Sequence, residues 1–114
     1  MHIDSYKFGK IVIEGKTYNS DCIILGGSIQ SDWRRKRGHL LSPEDIEIVL
    51  TAKPSILVVG CGASGIMEIS EQTRQVLQKH NIQLEALDTY EAVQKFNELS
   101  LAGANVAAAL HLTC

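Results

Sequence analysis

Long apolar runs are missing from this sequence. No stretch approaches the ~20 residues that a membrane-spanning helix needs, so a membrane is not an expected partner. The opening Met1-His2-Ile3-Asp4-Ser5-Tyr6 has neither a cationic segment nor an apolar one, which argues against a secretory signal. An excess of basic residues is missing too. Lys and Arg number 11 against 13 Asp and Glu, for a formal net charge of -2. A dedicated nucleic-acid binder carries a surplus of Lys and Arg, so nucleic acid is not an expected partner either. Cysteine is sparse and odd in number. Cys22, Cys61 and Cys114 are widely spaced in a chain able to build its own core, which favours free thiols in a reducing compartment. The cytoplasm is the expected location. Internal repeats and low-complexity tracts are absent.

What is present fits one globular domain spanning residues 1–114, with 45% hydrophobic and 21% charged residues. The first third reads as strands. Lys10-Ile11-Val12-Ile13-Glu14, then Gly15-Lys16, then Thr17-Tyr18-Asn19 is a hairpin pattern. Cys22-Ile23-Ile24-Leu25 is a short apolar run closed by Gly26-Gly27, as in a strand covered on both faces. Ser42, Pro43, Glu44 and Asp45 open a helix with an N-cap, a first-turn proline and favourable acidic charge, and Pro54 ends it. Ile56-Leu57-Val58-Val59 is the clearest strand. Ser70 caps a second helix running to about His80, with Asn81 as its stop. Ile82–Leu87 reads as a core strand, Thr89 as the cap of a third helix closed by Gly103, and Asn105–Leu110 as a final alanine-rich strand. Strands alternating with helices imply parallel crossovers, and the hairpin adds antiparallel pairing. The fold class is therefore three-layer α/β, with a mixed central sheet, helices on its faces and an N-terminal antiparallel hairpin region.

Two segments attract functional attention. Gly60-Cys61-Gly62-Ala63-Ser64-Gly65 spells G-x-G-x-x-G after a strand, with Glu85 about 25 residues on, as in a dinucleotide fingerprint. The next helix starts near Ser70, so the third glycine does not open it, and too little chain remains for a doubly wound domain. No G-K-[ST] follows, and no cofactor is expected. The plainer reading is a tight βα turn needing positive φ, with a small anion on the backbone N–H groups of Gly60, Gly62 and Ser64 as the functional one.

The other segment is the connection from Gly26 to Leu41, about 16 residues without an evident element, a length usually functional or disordered in compact domains. It holds the only tryptophan, Trp33, then Arg34-Arg35-Lys36-Arg37-Gly38-His39. If the strand 22–25 ran parallel beside 56–59, this loop and the glycine turn would share the carboxyl edge of the sheet, where α/β ligands bind. Trp33, Arg34, Arg35, Arg37 and His39 would then face a phosphate or carboxylate. The competing view is a solvated basic loop pinned by a buried Trp33.

Cys61 beside two glycines is a candidate reactive thiol with His39 as its base, against the commoner alternative of a buried inert cysteine. His111 and Cys114 stand three apart, but two ligands without a second pair do not make a zinc site, and no metal is expected. Ile66-Met67 reads as core, or as a partner contact where exposed.

Gly26-Gly27-Ser28 followed by Trp33, Ile56 through Gly62, Thr89-Tyr90-Glu91-Ala92-Val93 with Phe96-Asn97, and the ending Val106 through Cys114 together carry a resemblance. The chain resembles the small archaeal and bacterial domain proteins related to a human adipogenesis-associated domain-containing protein and to mitochondrial complex I assembly factor three. The resemblance spans nearly the whole chain and implies a three-layer α/β fold with a mixed sheet. It implies no catalytic mechanism. Its eukaryotic members, tied to complex assembly or differentiation, imply a binding role, and with no mitochondrial presequence here complex I assembly is not carried over. The leading expectation is a non-enzymatic binding or assembly module with a protein partner. The alternative is a site for a small phosphate- or carboxylate-bearing molecule, with or without catalysis, at the glycine loop 60–65 and the loop 26–41.

Overall fold

The computed structural model describes residues 1–114. Three short antiparallel strands come first: β1 (Ile3–Lys7), β2 (Lys10–Ile13) and β3 (Lys16–Tyr18), in that order across a small sheet. The β2–β3 turn is Glu14-Gly15, with φ of 49° and 78°, the paired left-handed conformation whose twist suits a two-residue hairpin. β1 escaped the sequence reading because its polar Asp4, Ser5 and Lys7 break up the apolar pattern.

The central sheet has five strands in the order β5-β4-β10-β7-β9: β4 (Cys22–Leu25), β5 (Ser28–Gln30), β7 (Ile56–Cys61), β9 (Gln83–Leu87) and β10 (Val106–His111). β7, β9 and β10 are mutually parallel, because α2 (Glu71–Lys79) and α3 (Thr89–Leu101) carry the chain back between them. The first crossover moves outward from β7 to β9, and the second moves back past β7 to β10. Both being right-handed, they lie on opposite faces. β9 ends up as an edge strand rather than a central one.

The pairing imagined for strand 22–25 is not the one that forms. β4 lies antiparallel to β10, with Leu110 opposite Cys22, and does not touch β7. β4 therefore starts at the edge where the parallel strands end, and Gly26-Gly27 turns at the far edge. β5 then pairs antiparallel with β4 and brings the chain back, with Gln30 opposite Ile23. The segment 26–41 is thus not structureless. It contains β5 and β6 (Leu40–Leu41), which pairs parallel with β8 (Glu68–Ile69). The short Gly26-Gly27 punctuation gave no hint that a three-residue strand followed.

The layers follow from period-two alternation. On one face, Leu57, Val59 and Cys61 of β7 and Ala107 and Ala109 of β10 pack with Trp33, Met67, Val49 and Leu77. On the other, Val58, Ala108 and Leu110 pack with Phe96, Ala92 and the isoleucines of β1 and β2. The first layer holds a 3-10 turn (Pro43–Ile46), α1 (Glu47–Ala52) and α2. The opposite one holds α3 and the small sheet. Ser70 caps α2 by accepting from the Thr73 N–H at 3.1 Å. Asp88, not Thr89, caps α3, accepting from the Glu91 N–H at 3.0 Å. No helix is long and apolar enough to cross a membrane.

Candidate functional site

The carboxyl edge of the central sheet gathers the polar residues of the interior. Asp21, just before β4, meets the end of β10, and its Oδ1 accepts from the Leu112 N–H at 2.8 Å. The loop after β5 crosses the same edge. Trp33 is buried there, its N–H donating to the Asp21 carbonyl at 2.9 Å and its indole Nε1–H to the Asp45 carbonyl at 2.8 Å. The Arg35 guanidinium lies 4.7 Å from the Trp33 ring, a cation–π contact. Its Nη1 donates to Asp21 Oδ2 at 2.9 Å and its Nε to the Gly38 carbonyl at 3.1 Å. His111, the last residue of β10, puts Nδ1 2.8 Å from the same Asp21 Oδ2. The side chains of Arg35 and His111 are only 5% and 7% exposed, so this is an interior network.

Its electrostatics assign a tautomer. Burial pushes the Asp21 carboxyl up. The hydrogen bonds from His111, the Leu112 N–H and Arg35 outweigh that, and the group sits below the ordinary carboxylate range. An ionised carboxylate only accepts, so His111 Nδ1 must carry the proton shared with it. Arg35 Nη2, 3.0 Å from the same nitrogen, is then a neighbouring donor rather than a partner. In the neutral ring Nε2 is left with a bare lone pair, and this atom is shielded from solvent with no hydrogen-bond partner. Burial, with Asp21 next to it, pushes the neighbouring Cys22 thiol up to about 12.

The glycine turn is engaged internally. The Gly62 N–H donates to Thr89 Oγ1 at 2.9 Å, and that hydroxyl donates onward to the His111 carbonyl at 2.6 Å. The Ala63 N–H is taken by the Thr113 carbonyl, Gly65 by Gly62, and Met67 by Cys61. Gly60 is glycine because a Cβ there would lie 2.8 Å from Thr89 Oγ1. Gly62 has φ of +100°, and a Cβ would lie 2.5 Å from the Cys114 carbonyl oxygen. Positive φ and close backbone approach both demand glycine here.

Between the ends of β7 and β9 the chain leaves in opposite directions, toward α2 on one face and α3 on the other. Such a switch point is where open α/β sheets hold ligands. A cleft of about 420 Å³ opens there, lined by Cys61, Met67, Glu68, Arg74 and Asp88 among others. Burial raises the Cys61 thiol pKa, Arg74 pulls it down and Asp88 adds to the rise.

The fold recurs in proteins already known. Residues 3–111 match the family described as "Protein of unknown function (DUF498/DUF598)". The chain belongs to that family. Among solved structures, a conserved hypothetical protein of Pyrococcus horikoshii OT3, PH1505, is 27% identical, covering 100% of both chains with a TM-score of 0.85. The protein called MT938 is 30% identical over 99% of this chain and 98% of its own, with a TM-score of 0.81. A protein described as an outer membrane protein of Bartonella henselae is 25% identical over 98% and 94%, with a TM-score of 0.84.

In this DUF498/DUF598 domain the residues singled out from sequence are spread over several environments. Trp33 and Arg35 are turned inward. Arg34 borders a shallow depression with Trp33, Glu44 and Glu47, while Lys36 and Arg37 border a separate cleft of about 460 Å³ with Ser42 and Ser70. His39 is exposed, its ring centroid 5.9 Å from that of His111, and its carbonyl accepts from the Glu68 N–H at 2.9 Å. Ser64 is exposed on the glycine turn. Side by side, then, are the loop through His39 and the segment following the glycine turn, joined by β6 and β8. Sequence reasoning missed Asp21, Arg74 and Asp88, and weighed His111 only as a metal ligand. No group of three or more His, Cys, Asp or Glu gathers to hold a metal. No spacing links Asp21 to His111, 90 positions apart. Only the antiparallel β4–β10 register does.

Proposed function

We propose that this chain is a non-enzymatic binding module that engages a protein partner on the rim of the carboxyl edge. The observation that carries this reading is a set of exposed apolar side chains, Phe8, Ile66 and Tyr90, at 60%, 51% and 48% exposure. They come from three elements that border one segment. Gly9, beside Phe8, donates to the Leu112 carbonyl at 2.8 Å. Tyr6 donates to the same carbonyl at 2.7 Å and stacks edge-on against Tyr90, centroids 4.7 Å apart. The turn leading to Ile66 holds the Thr113 carbonyl. Large apolar residues grouped on a rim mark docking surfaces more often than scattered ones do. Lys7 and Lys10 flank Phe8, and Asp88 and Glu91 flank Tyr90. The partner surface that fits has an apolar centre, with acidic groups toward the hairpin and basic groups toward α3. The resemblance to eukaryotic assembly-associated proteins points the same way, as does a reducing compartment such as the cytoplasm for three free thiols.

A photocrosslinking residue placed at position 8, 66 or 90 should trap one and the same protein in a native lysate, and one placed at Leu101 should not. Binding to that protein once purified should weaken at least tenfold in Phe8→Ser and Tyr90→Ser. Trapping only a second copy of the chain, or equal trapping from position 101, overturns the reading.

A second reading puts a phosphate- or carboxylate-bearing ligand away from the glycine loop, in the separate cleft where Lys36 and Arg37 stand with Glu44, Ser42 and Ser70. Thermal shifts with inorganic phosphate and citrate, abolished in Arg37→Ala, would support it, and flat shifts would remove it.

A further inference from the structure

The unassigned chemistry of the molecule is concentrated where Cys61 meets His111. These residues are register partners on the adjacent parallel strands β7 and β10. Their side chains leave the same face of the sheet, on strands about 4.8 Å apart. The imidazole holds Asp21, just before β4, through Nδ1, which leaves Nε2 on the part of the ring turned away from that carboxylate. That nitrogen is unpartnered within a side chain 7% exposed. Cys61 in turn lines the switch-point cleft.

We propose that Cys61 is a thiol–disulfide exchange site, with His111 Nε2 as its proton acceptor, Asp21 as the residue that positions the ring, and a small zwitterionic disulfide as the reagent that modifies it. His111 takes the proton of Cys61, and the thiolate attacks one sulfur of the disulfide. A new Cys61–sulfur bond forms, the original sulfur–sulfur bond breaks, and the departing thiolate takes the proton from His111. Cys61 is oxidised to the mixed disulfide and one half of the reagent is reduced to thiol.

Acyl transfer at the same thiol would need N–H donors for an oxyanion, and in the turn after Cys61 those of Gly62, Ala63, Gly65 and Met67 are engaged, which leaves only Ser64 and Ile66. Displacement at sulfur needs none. The cleft presents the Arg74 cation together with the Glu68 and Asp88 carboxylates, which suits a molecule carrying both an ammonium and a carboxylate. At rest the thiol is protonated, since burial raises its pKa, and no hydrogen bond yet joins it to Nε2. Such contacts tighten in the reacting complex. The charged and titratable groups around the pair are Asp21, Arg35 and His39 beside the imidazole, and Glu68, Arg74 and Asp88 beside the thiol.

The site stands independently of the docking rim. The test uses a Cys114→Ser background, incubated with cystine, cystamine or 3,3′-dithiodipropionate, with peptide mass spectrometry reading the modification of Cys61. Cystine should react at least tenfold faster than with the urea-unfolded chain, and faster than either the dication cystamine or the dianion 3,3′-dithiodipropionate. Its rate should level off below the range in which an unassisted thiol loses its proton. His111→Gln should slow it about 100-fold. Folded Cys61 reacting no faster than unfolded, a rate climbing unbroken through the thiol range, or preference for cystamine or the diacid overturns the proposal. Should His111→Gln not fold, the pH profile of the background protein decides.

Discussion

At the amino edge of the central sheet, Gly26, Lys53, Asn81 and Gly103 take positive φ where strands turn or helices end, and Gly26 and Gly103 have nothing within 4 Å of a would-be Cβ. At the carboxyl edge, Gly60 and Gly62 are pressed against Thr89 and the residues after β10. One edge uses glycine for backbone conformation alone. The other also uses it for proximity, around a buried charge network. The difference teaches that the carboxyl edge is where the fold holds its strain and its interior polarity, and that substitutions there should cost more.

The largest effect should come from the network. Asp21→Ala strips the acceptor from Arg35, His111 and the Leu112 N–H together, and urea unfolding should show a loss of about 3–5 kcal/mol. A loss under about 1 kcal/mol would mean that the network is solvated. Asp21 also imposes a pH dependence. Its folded pKa lies below the unfolded value of about 3.9, so its contribution is complete above that value and disappears as pH falls through the folded one. Acid titration of Asp21→Asn should lack that part of the destabilisation.

Gly62→Ala should cost about 3 kcal/mol, combining positive φ with overlap against the backbone. Gly26→Ala, strained only in φ, should cost about 1 kcal/mol. Equal losses would erase the contrast between the edges. Leu101, 92% exposed at the end of α3, sets the floor. Leu101→Ser should shift stability by less than about 0.5 kcal/mol in the same unfolding assay.

Much of the architecture was legible because local signals agreed with the tertiary outcome. Val58 and its neighbours could only be a fully buried strand, and Ser70 and Asn81 bracket α2 as caps do. β1 and β5 were hidden because polar residues on exposed edges give a weak period. The direction of β4 was hidden for a deeper reason. Nothing in Cys22-Ile23-Ile24-Leu25 encodes which neighbour it pairs with, and the unforeseen β5 reverses the chain before it reaches β7. The site suffered in proportion. Trp33 and Gly62 stood out by residue type, but their partners are set by long-range register, and the basic run reads as one patch in sequence while Arg35 turns in and Arg34 and Arg37 turn to different surfaces.

The two-residue pairing of β6 with β8 has a mechanical consequence. The Glu68 N–H reaches the His39 carbonyl and the Ser70 N–H reaches the Leu41 carbonyl, so two otherwise unrelated excursions of the chain are stitched at adjacent rungs. A displacement of the tryptophan loop is therefore handed directly to Glu68 and Ile69 in the wall around Cys61. The two should open as a single flap, with the amide protons of residues 68 and 70 exchanging in step.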